Sequence, residues 1–253
     1  MEHLGSIGRI RTTATAAVLA GMLASVTTHT PANAAMELMT DPEPVVVELF
    51  TSQGCSSCPP ADEFLGELSR KSNVLALAFH IDYWNYIGWE DPFSSAAATE
   101  RQHQYGQLLE LRAVYTPQMV IDGTTHEIGS DRGAVAIAIK DAARTQKIPV
   151  TLVNDGNGYR VHIGEGEPGT RARVWFVAFE PETVTEVLRG ENEGKTLVEY
   201  NIVQSWEVIG TWDGTATEIA LPQGDEYQAG ACAVIVQEDP IGRIYGAAAF
   251  RME

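Results

Sequence analysis

The segment Gly54-Cys55-Ser56-Ser57-Cys58-Pro59-Pro60 constrains this chain more than any other feature. It follows a β-branched run at residues 45–50, a predicted strand, and it opens residues 59–71, where Ala61, Phe64, Leu65 and Leu68 recur at helical spacing. Two sulfurs three residues apart at a helix start can close a small ring. The first points at backbone N–H groups that the helix leaves unpaired. Those donors and the positive helix end favour a thiolate and can lower a cysteine pKa to roughly 3.5–7.5. The thiolate is the attacking species in disulfide exchange, so Cys55 is the expected nucleophile and Cys58 the resolving thiol. Ser56 and Ser57 offer hydroxyls to that thiolate, and Pro59 and Pro60 sit where a helix does not need their N–H groups.

Around this segment the pattern reads as strand, helix, strand, helix, hairpin, helix. Residues 74–79 form a continuous apolar run, as in a parallel strand covered on both faces. Residues 94–111 read as a helix, 119–121 and 125–128 as a hairpin turning at Asp122-Gly123, and Asp131 as the cap of a further helix. Beyond Lys147 helical spacing stops. Asn154-Asp155-Gly156-Asn157 between two apolar runs is a hairpin signal, and short strands follow around 173–179, 197–203, 217–221, 232–237 and 243–250. This spacing predicts an all-β, sandwich-like domain over residues 148–253. An acidic, proline-spaced linker at 35–44 precedes the first domain at 45–147.

The order of elements, the Cys-x-x-Cys at a helix start and Thr116-Pro117 before the hairpin resemble the thioredoxin fold. The expected fold class is therefore an α/β thioredoxin-like domain followed by an all-β sandwich-like domain. More closely, Glu48-Leu49-Phe50-Thr51-Ser52-Gln53-Gly54-Cys55 with Arg189-Gly190-Glu191-Asn192 is similar to a secreted bacterial thioredoxin-like family catalogued only as a domain of unknown function. The resemblance runs from about residue 44 to the C-terminus and implies a redox class but no substrate. It implies that Pro117 is cis and, with Thr116, keeps a main-chain edge open for a substrate peptide beside Cys55. It also suggests Glu48 as a proton relay for Cys58, although Glu48 lies seven residues before Cys55 where thioredoxins place an acid six before. The other reading of Glu48 is a strand-end carboxylate paired with a basic neighbour. In His80-Ile81-Asp82-Tyr83-Trp84-Asn85-Tyr86-Ile87-Gly88-Trp89, Trp84 and Trp89 can line an apolar substrate groove or seal the core, and His80 reads as a core or hydrogen-bonding residue.

Arg9 and Arg11, an apolar stretch over 14–26 and Ala32-Asn33-Ala34 predict a cleaved export signal at 1–34, hence a periplasmic or secreted protein. The stretch is too short for a spanning helix, which needs about 20 residues, so no membrane contact is expected after cleavage. Lys plus Arg number 17 against 34 Asp plus Glu, a net charge of −17, which repels phosphate backbones and argues against nucleic acid. Three cysteines cannot build a disulfide scaffold or a four-thiolate zinc site. Gly164-x-Gly166-x-x-Gly169 leaves one strand for another and lacks the helix N-terminus of a dinucleotide site. Cys232 reads as a buried small hydrophobe, and His103, His126 and His162 lack ligand spacing.

The leading expectation is a thiol–disulfide oxidoreductase with no cofactor and no resident metal. Its partners would be protein thiols or disulfides and an unidentified redox partner. Two other classes compete with it. One is a copper-binding metallochaperone in which Cys55, Cys58 and His80 hold soft Cu(I). The other is a non-catalytic interaction protein with a structural disulfide.

Overall fold

The structure, a computed structural model, describes residues 1, 36–154, 158–222 and 230–252. The expected leader, past Met1, and the expected turn at Asp155-Gly156-Asn157 lie outside the described residues. The elements, in chain order, are β1 (Met36–Leu38), β2 (Val45–Thr51), α1 (Pro59–Leu68), β3 (Val74–His80), a 3-10 turn (Asn85–Ile87), α2 (Ala96–Leu108), β4 (Gln118–Ile121), β5 (Thr125–Ile128) and α3 (Arg132–Ala142). There follow β6 (Val150–Asn154), β7 (Tyr159–Ile163), β8 (Ala172–Glu186), β9 (Thr196–Trp212), β10 (Thr217–Ala220), β11 (Ala231–Glu238) and β12 (Ile244–Met252).

β2 and β3 are buried at every position and pair in parallel from Val45↔Val74 to Thr51↔His80. Successive side chains of a strand point to opposite faces. Val45, Val47 and Leu49 therefore pack with Phe64 and Leu65 of α1 and Val135 of α3, while Val46 and Phe50 pack with Ala98 and Tyr105 of α2. Side chains cap both helix starts: Asp131, the expected cap, accepts from Ala134 N–H at 3.0 Å, and Ser95, one residue after the expected helix start at 94, accepts from Ala98 N–H at 3.1 Å.

The expected two-part architecture is not the one the chain adopts. The molecule is mostly β, with three α-helices among the described residues and one mixed nine-stranded sheet in the order β1-β12-β11-β8-β9-β3-β2-β4-β5. A second, three-stranded sheet runs β10-β7-β6. β9 takes the edge of β3, in parallel at Ala78↔Ile202, so the edge that a free-standing α/β domain would expose is joined to the second half of the chain. One of the apolar clusters therefore spans both halves of the chain, with Phe50 and Phe79 packed together with Phe179, Ala233 and Ile235. Sheet and core thus run across residue 148 without a break. β8 and β9 form a long antiparallel hairpin with register shifts at Val174/Trp175 and Ala178/Phe179, and its far end, toward Val187 and Lys195, reaches the Cys-x-x-Cys segment.

Candidate functional site

Cys55 and Cys58 are joined in a disulfide at the C-terminal end of β2, with Cys58 at the N-cap of α1 and proline in the first turn. The turn is tied by Cys55 N–H to Ser52 O at 3.1 Å and Cys58 N–H to Cys55 O at 3.2 Å. Cys55 is 3% exposed and Cys58 fully buried. Ser57 Oγ lies 3.3 Å from Cys55 Sγ, and Thr116 Oγ1 donates to the same sulfur at 3.3 Å. Trp84 Nε1 donates in turn to Thr116 Oγ1 at 2.8 Å. The Thr116–Pro117 peptide is cis and Pro117 is buried. Ser56 is exposed. Trp84 stacks at 19° on Tyr86, which is 80% exposed, so an aromatic surface flanks the sulfur. At Gly54 a Cβ would stand 3.2 Å from Trp84 Cβ, which explains a glycine where the aromatic loop meets the turn. Trp89 points elsewhere, donating through Nε1 to Gln53 Oε1 at 3.0 Å.

Gln53 is the hub that the sequence reading missed. Its N–H donates to Asp91 Oδ2 at 2.8 Å and its Nε2 to Glu199 Oε2 at 2.6 Å. From the β8–β9 loop, Asn192 Nδ2 donates to Gln53 O at 2.8 Å and Cys55 O at 3.0 Å. A residue nearly 140 positions away in sequence thus holds the backbone of the disulfide turn. Asn192 belongs to a motif that was visible in the sequence, but its partners were not.

Beneath the disulfide lies a buried acid–imidazole cluster. Asp62, one helical turn after Cys58 and so on its face of α1, accepts from Thr51 Oγ1 at 2.7 Å. His80 Nδ1 is 2.7 Å from Asp91 Oδ2, and His80 Nε2 is 3.8 Å from Glu199 Oε1. Burial opposes a charge on His80, but the Asp91 and Glu199 carboxylates outweigh it and raise its pKa to about 9. Burial likewise acts against Asp91, yet the His80 charge and the N–H groups of Gln53 and Phe93 hold its carboxyl below the ordinary range. Burial, then repulsion from Glu199, pushes Asp62 up to about 7, and burial also raises Glu199. Asp91 is therefore the ionised partner of a charged His80, and Asp62 holds its proton to near neutrality.

Both upward shifts mean that the folded protein binds protons the unfolded chain has released, so stability falls as pH rises. The Asp62 contribution, complete below about pH 3.8, is lost as pH rises through about 7. The His80 contribution, complete below about pH 6.5, is lost through about 9. Denaturant titrations should show stability declining between pH 6.5 and 9. His80→Gln should flatten that segment; an unchanged slope would show that the imidazole is not held charged.

The structure does not bring Glu48 to the sulfurs. Strand alternation puts it on the α2 face with Val46 and Phe50, whereas α1 and Cys58 lie on the other. There it pairs with Arg101 Nε at 2.7 Å and accepts from the Tyr105 hydroxyl. That is the basic-neighbour reading, with Arg101 supplied by α2. On the α1 face the available acid is Asp62, recognisable in sequence from its four-residue offset from Cys58.

Among the described residues no group of three or more His, Cys, Asp or Glu is arranged to hold a metal ion, and His80 is built into the carboxylate cluster. Cys232 is buried in β11 and unbonded, and burial pushes its thiol up to about 12. Gly164, Gly166 and Gly169 lie in the loop between β7 and β8. No described helix is long and apolar enough to cross a membrane.

A search of curated proteins gives no match. Among solved structures, the chain resembles an Agrobacterium tumefaciens protein determined by X-ray crystallography, with 34% identity, a TM-score of 0.73 and coverage of 84% of this chain and 96% of the other. HBP35 of Porphyromonas gingivalis shares the fold at a TM-score of 0.56 and 14% identity, over 84% of this chain and 76% of that one. Residues 46–237 match the family described as "Protein of unknown function (DUF1223)", and the chain belongs to that family.

Proposed function

We propose that this protein is an exported thiol–disulfide oxidoreductase that acts on protein thiols or disulfides through Cys55 and Cys58. The observation that carries the reading is the Cys55–Cys58 disulfide at a helix N-terminus, with Thr116 Oγ1 and Ser57 Oγ both 3.3 Å from Cys55 Sγ. Once the disulfide is reduced, two hydroxyls and the helix N-terminus stabilise a Cys55 thiolate. Cys58, buried and one turn from Asp62, is the thiol that attacks Cys55 to release the partner. Asp62, with a pKa near neutrality, gives or takes the Cys58 proton. The aromatic surface of Trp84 and Tyr86 and the Thr116-Pro117 segment make the docking edge for an unidentified protein partner. Export rests on the basic and apolar composition of residues 1–34, and an oxidising compartment suits a persistent disulfide.

Alkylation of the reduced protein across pH tests the assignment. Cys55 should react first, with a midpoint at least one unit below the roughly 8.5 of a free thiol, and Cys232 should not react while the protein is folded. A first reaction at Cys58, or an unshifted Cys55, would overturn the assignment of nucleophile.

A further inference from the structure

Beside the first turn of α1 lies a cavity of about 330 Å3, lined among others by Pro59, Asp62, Glu63, Leu197, Val198 and Glu199. Pro59 follows Cys58 directly, so the cavity abuts the disulfide turn. Its other wall is the N-terminal stretch of β9. There β9 has β8 on one side, and on the other its pairing to β3 is confined, among the described residues, to Ala78↔Ile202. The stretch from Thr196 to Tyr200 therefore presents a strand edge that β3 does not cover, facing α1. Glu199 is 1% exposed, and its Oε1 has no hydrogen-bond partner among the described residues, with His80 Nε2 remaining at 3.8 Å. Glu63 stands exposed at the mouth. Leu197, Val198 and Pro59 supply apolar walls.

Apolar walls with carboxylates at the floor and mouth suit one long side chain that carries a cationic head on an aliphatic stem. Glu199 Oε1 lacks a hydrogen-bond donor among the described residues, although the His80 imidazolium stands 3.8 Å away, and a guanidinium or ammonium head supplies one in a charge-assisted bond. We infer that this cavity is a specificity pocket for an arginine or lysine side chain of an extended substrate segment, lying close to the cysteine presented to Cys55. The substrate class is thus a basic, extended protein segment rather than any exposed thiol. This rests on the exchange reading for the identity of the neighbouring reactive residue, but the binding itself does not require exchange.

The probes are two blocked pentapeptides, one with arginine and one with glutamine flanking a serine that stands in for cysteine. Calorimetry at low salt should find the arginine peptide bound about five- to ten-fold more tightly. Glu63→Gln and Glu199→Gln should each remove most of that preference. Glu100→Gln, which removes an equal charge from α2 on the opposite face of the sheet, should leave it intact. Equal affinity for the two peptides, binding of neither, or equal loss in all three variants would overturn the pocket. The cysteine forms, offered as symmetrical disulfides to reduced Cys58→Ala protein, separate the two proposals. Cys55 thiolate attacks the peptide disulfide, leaves one peptide bonded to Cys55 and expels the other as a thiolate. Serine peptides that discriminate while no adduct forms would sink exchange and keep the pocket. Adducts that form at equal rates for the two peptides would keep exchange and sink the pocket.

Discussion

Reduced Cys58→Ala protein will hold disulfide-bonded partners that the unmodified protein releases. In the proposed exchange, Cys55 thiolate attacks a substrate disulfide, one substrate sulfur departs as a thiolate, and the other stays bonded to Cys55. Cys58 then attacks Cys55 Sγ, expels the second substrate thiolate and restores the internal disulfide. Removing Cys58 leaves the first step intact and stops the second, so adducts should accumulate at least about ten-fold over the unmodified protein. Cys55→Ala should give none, because Cys58 is buried beneath the turn and faces the Asp62 side. Cys232→Ala should match the unmodified protein, since that thiol lies 1% exposed within β11. Non-reducing electrophoresis reads the adducts, which must collapse on adding reductant. Equal trapping through Cys58 alone would reverse the roles. Absence of trapping through Cys55 would turn the disulfide into a structural link.

Local elements of this molecule were legible because each is written in a short window. The alternation of apolar positions, the cap at Asp131 and the Asp122-Gly123 turn all act over a few residues. The sheet was not, because its decisive join is the long-range pairing Ala78↔Ile202 between segments that each read as belonging to a separate unit. The lengths of β8 and β9 were hidden for a related reason. The parts missed, β8 beyond Phe179 and β9 beyond Val203, carry exposed polar positions such as Glu182, Glu186, Gln204 and Ser205 that read as loop until a partner strand is known. The sulfurs, Thr116, Ser57 and Trp84 were legible in sequence and do meet in space. Asn192 and Glu199 could not be placed, because only the hairpin brings them to Gln53. Glu48 shows how a correct strand can still mislead. Its chemistry suited a relay, but which face of β2 it occupied depended on where α1 packed.

The Glu48 position yields the largest expected effect on stability. Arg101 is 7% exposed, with its guanidinium 5.4 Å from the centre of the Phe79 ring, and hydrogen-bonded to Glu48 and to Gln237 Oε1 at 3.0 Å. Gln237 Nε2 donates to Tyr105 Oη at 2.7 Å and the Tyr105 hydroxyl donates to Glu48, so β2, α2 and β11 are joined by one polar ring inside the apolar core. Glu48→Leu leaves a buried guanidinium without its counter-charge, a change that costs about 3–5 kcal/mol. For a chain of this size, each kcal/mol lowers Tm by about 2–4 °C, so a loss of roughly 10 °C is expected. The double variant Glu48→Leu with Arg101→Met removes both charges and should recover most of it, because paired burial of two ions gains little over well-packed apolar groups. A double variant as unstable as the single one would mean that the ring, not the ion pair, carries the stability. The same residue separates the two acids in mechanism. Glu48→Gln should leave the pH dependence of adduct release by Cys58 unchanged, since Glu48 faces away from Cys58. Asp62→Asn should remove the inflection near neutrality that its carboxyl supplies. If the inflection instead follows Glu48, the proton moves through the sheet and the assignment of Asp62 fails.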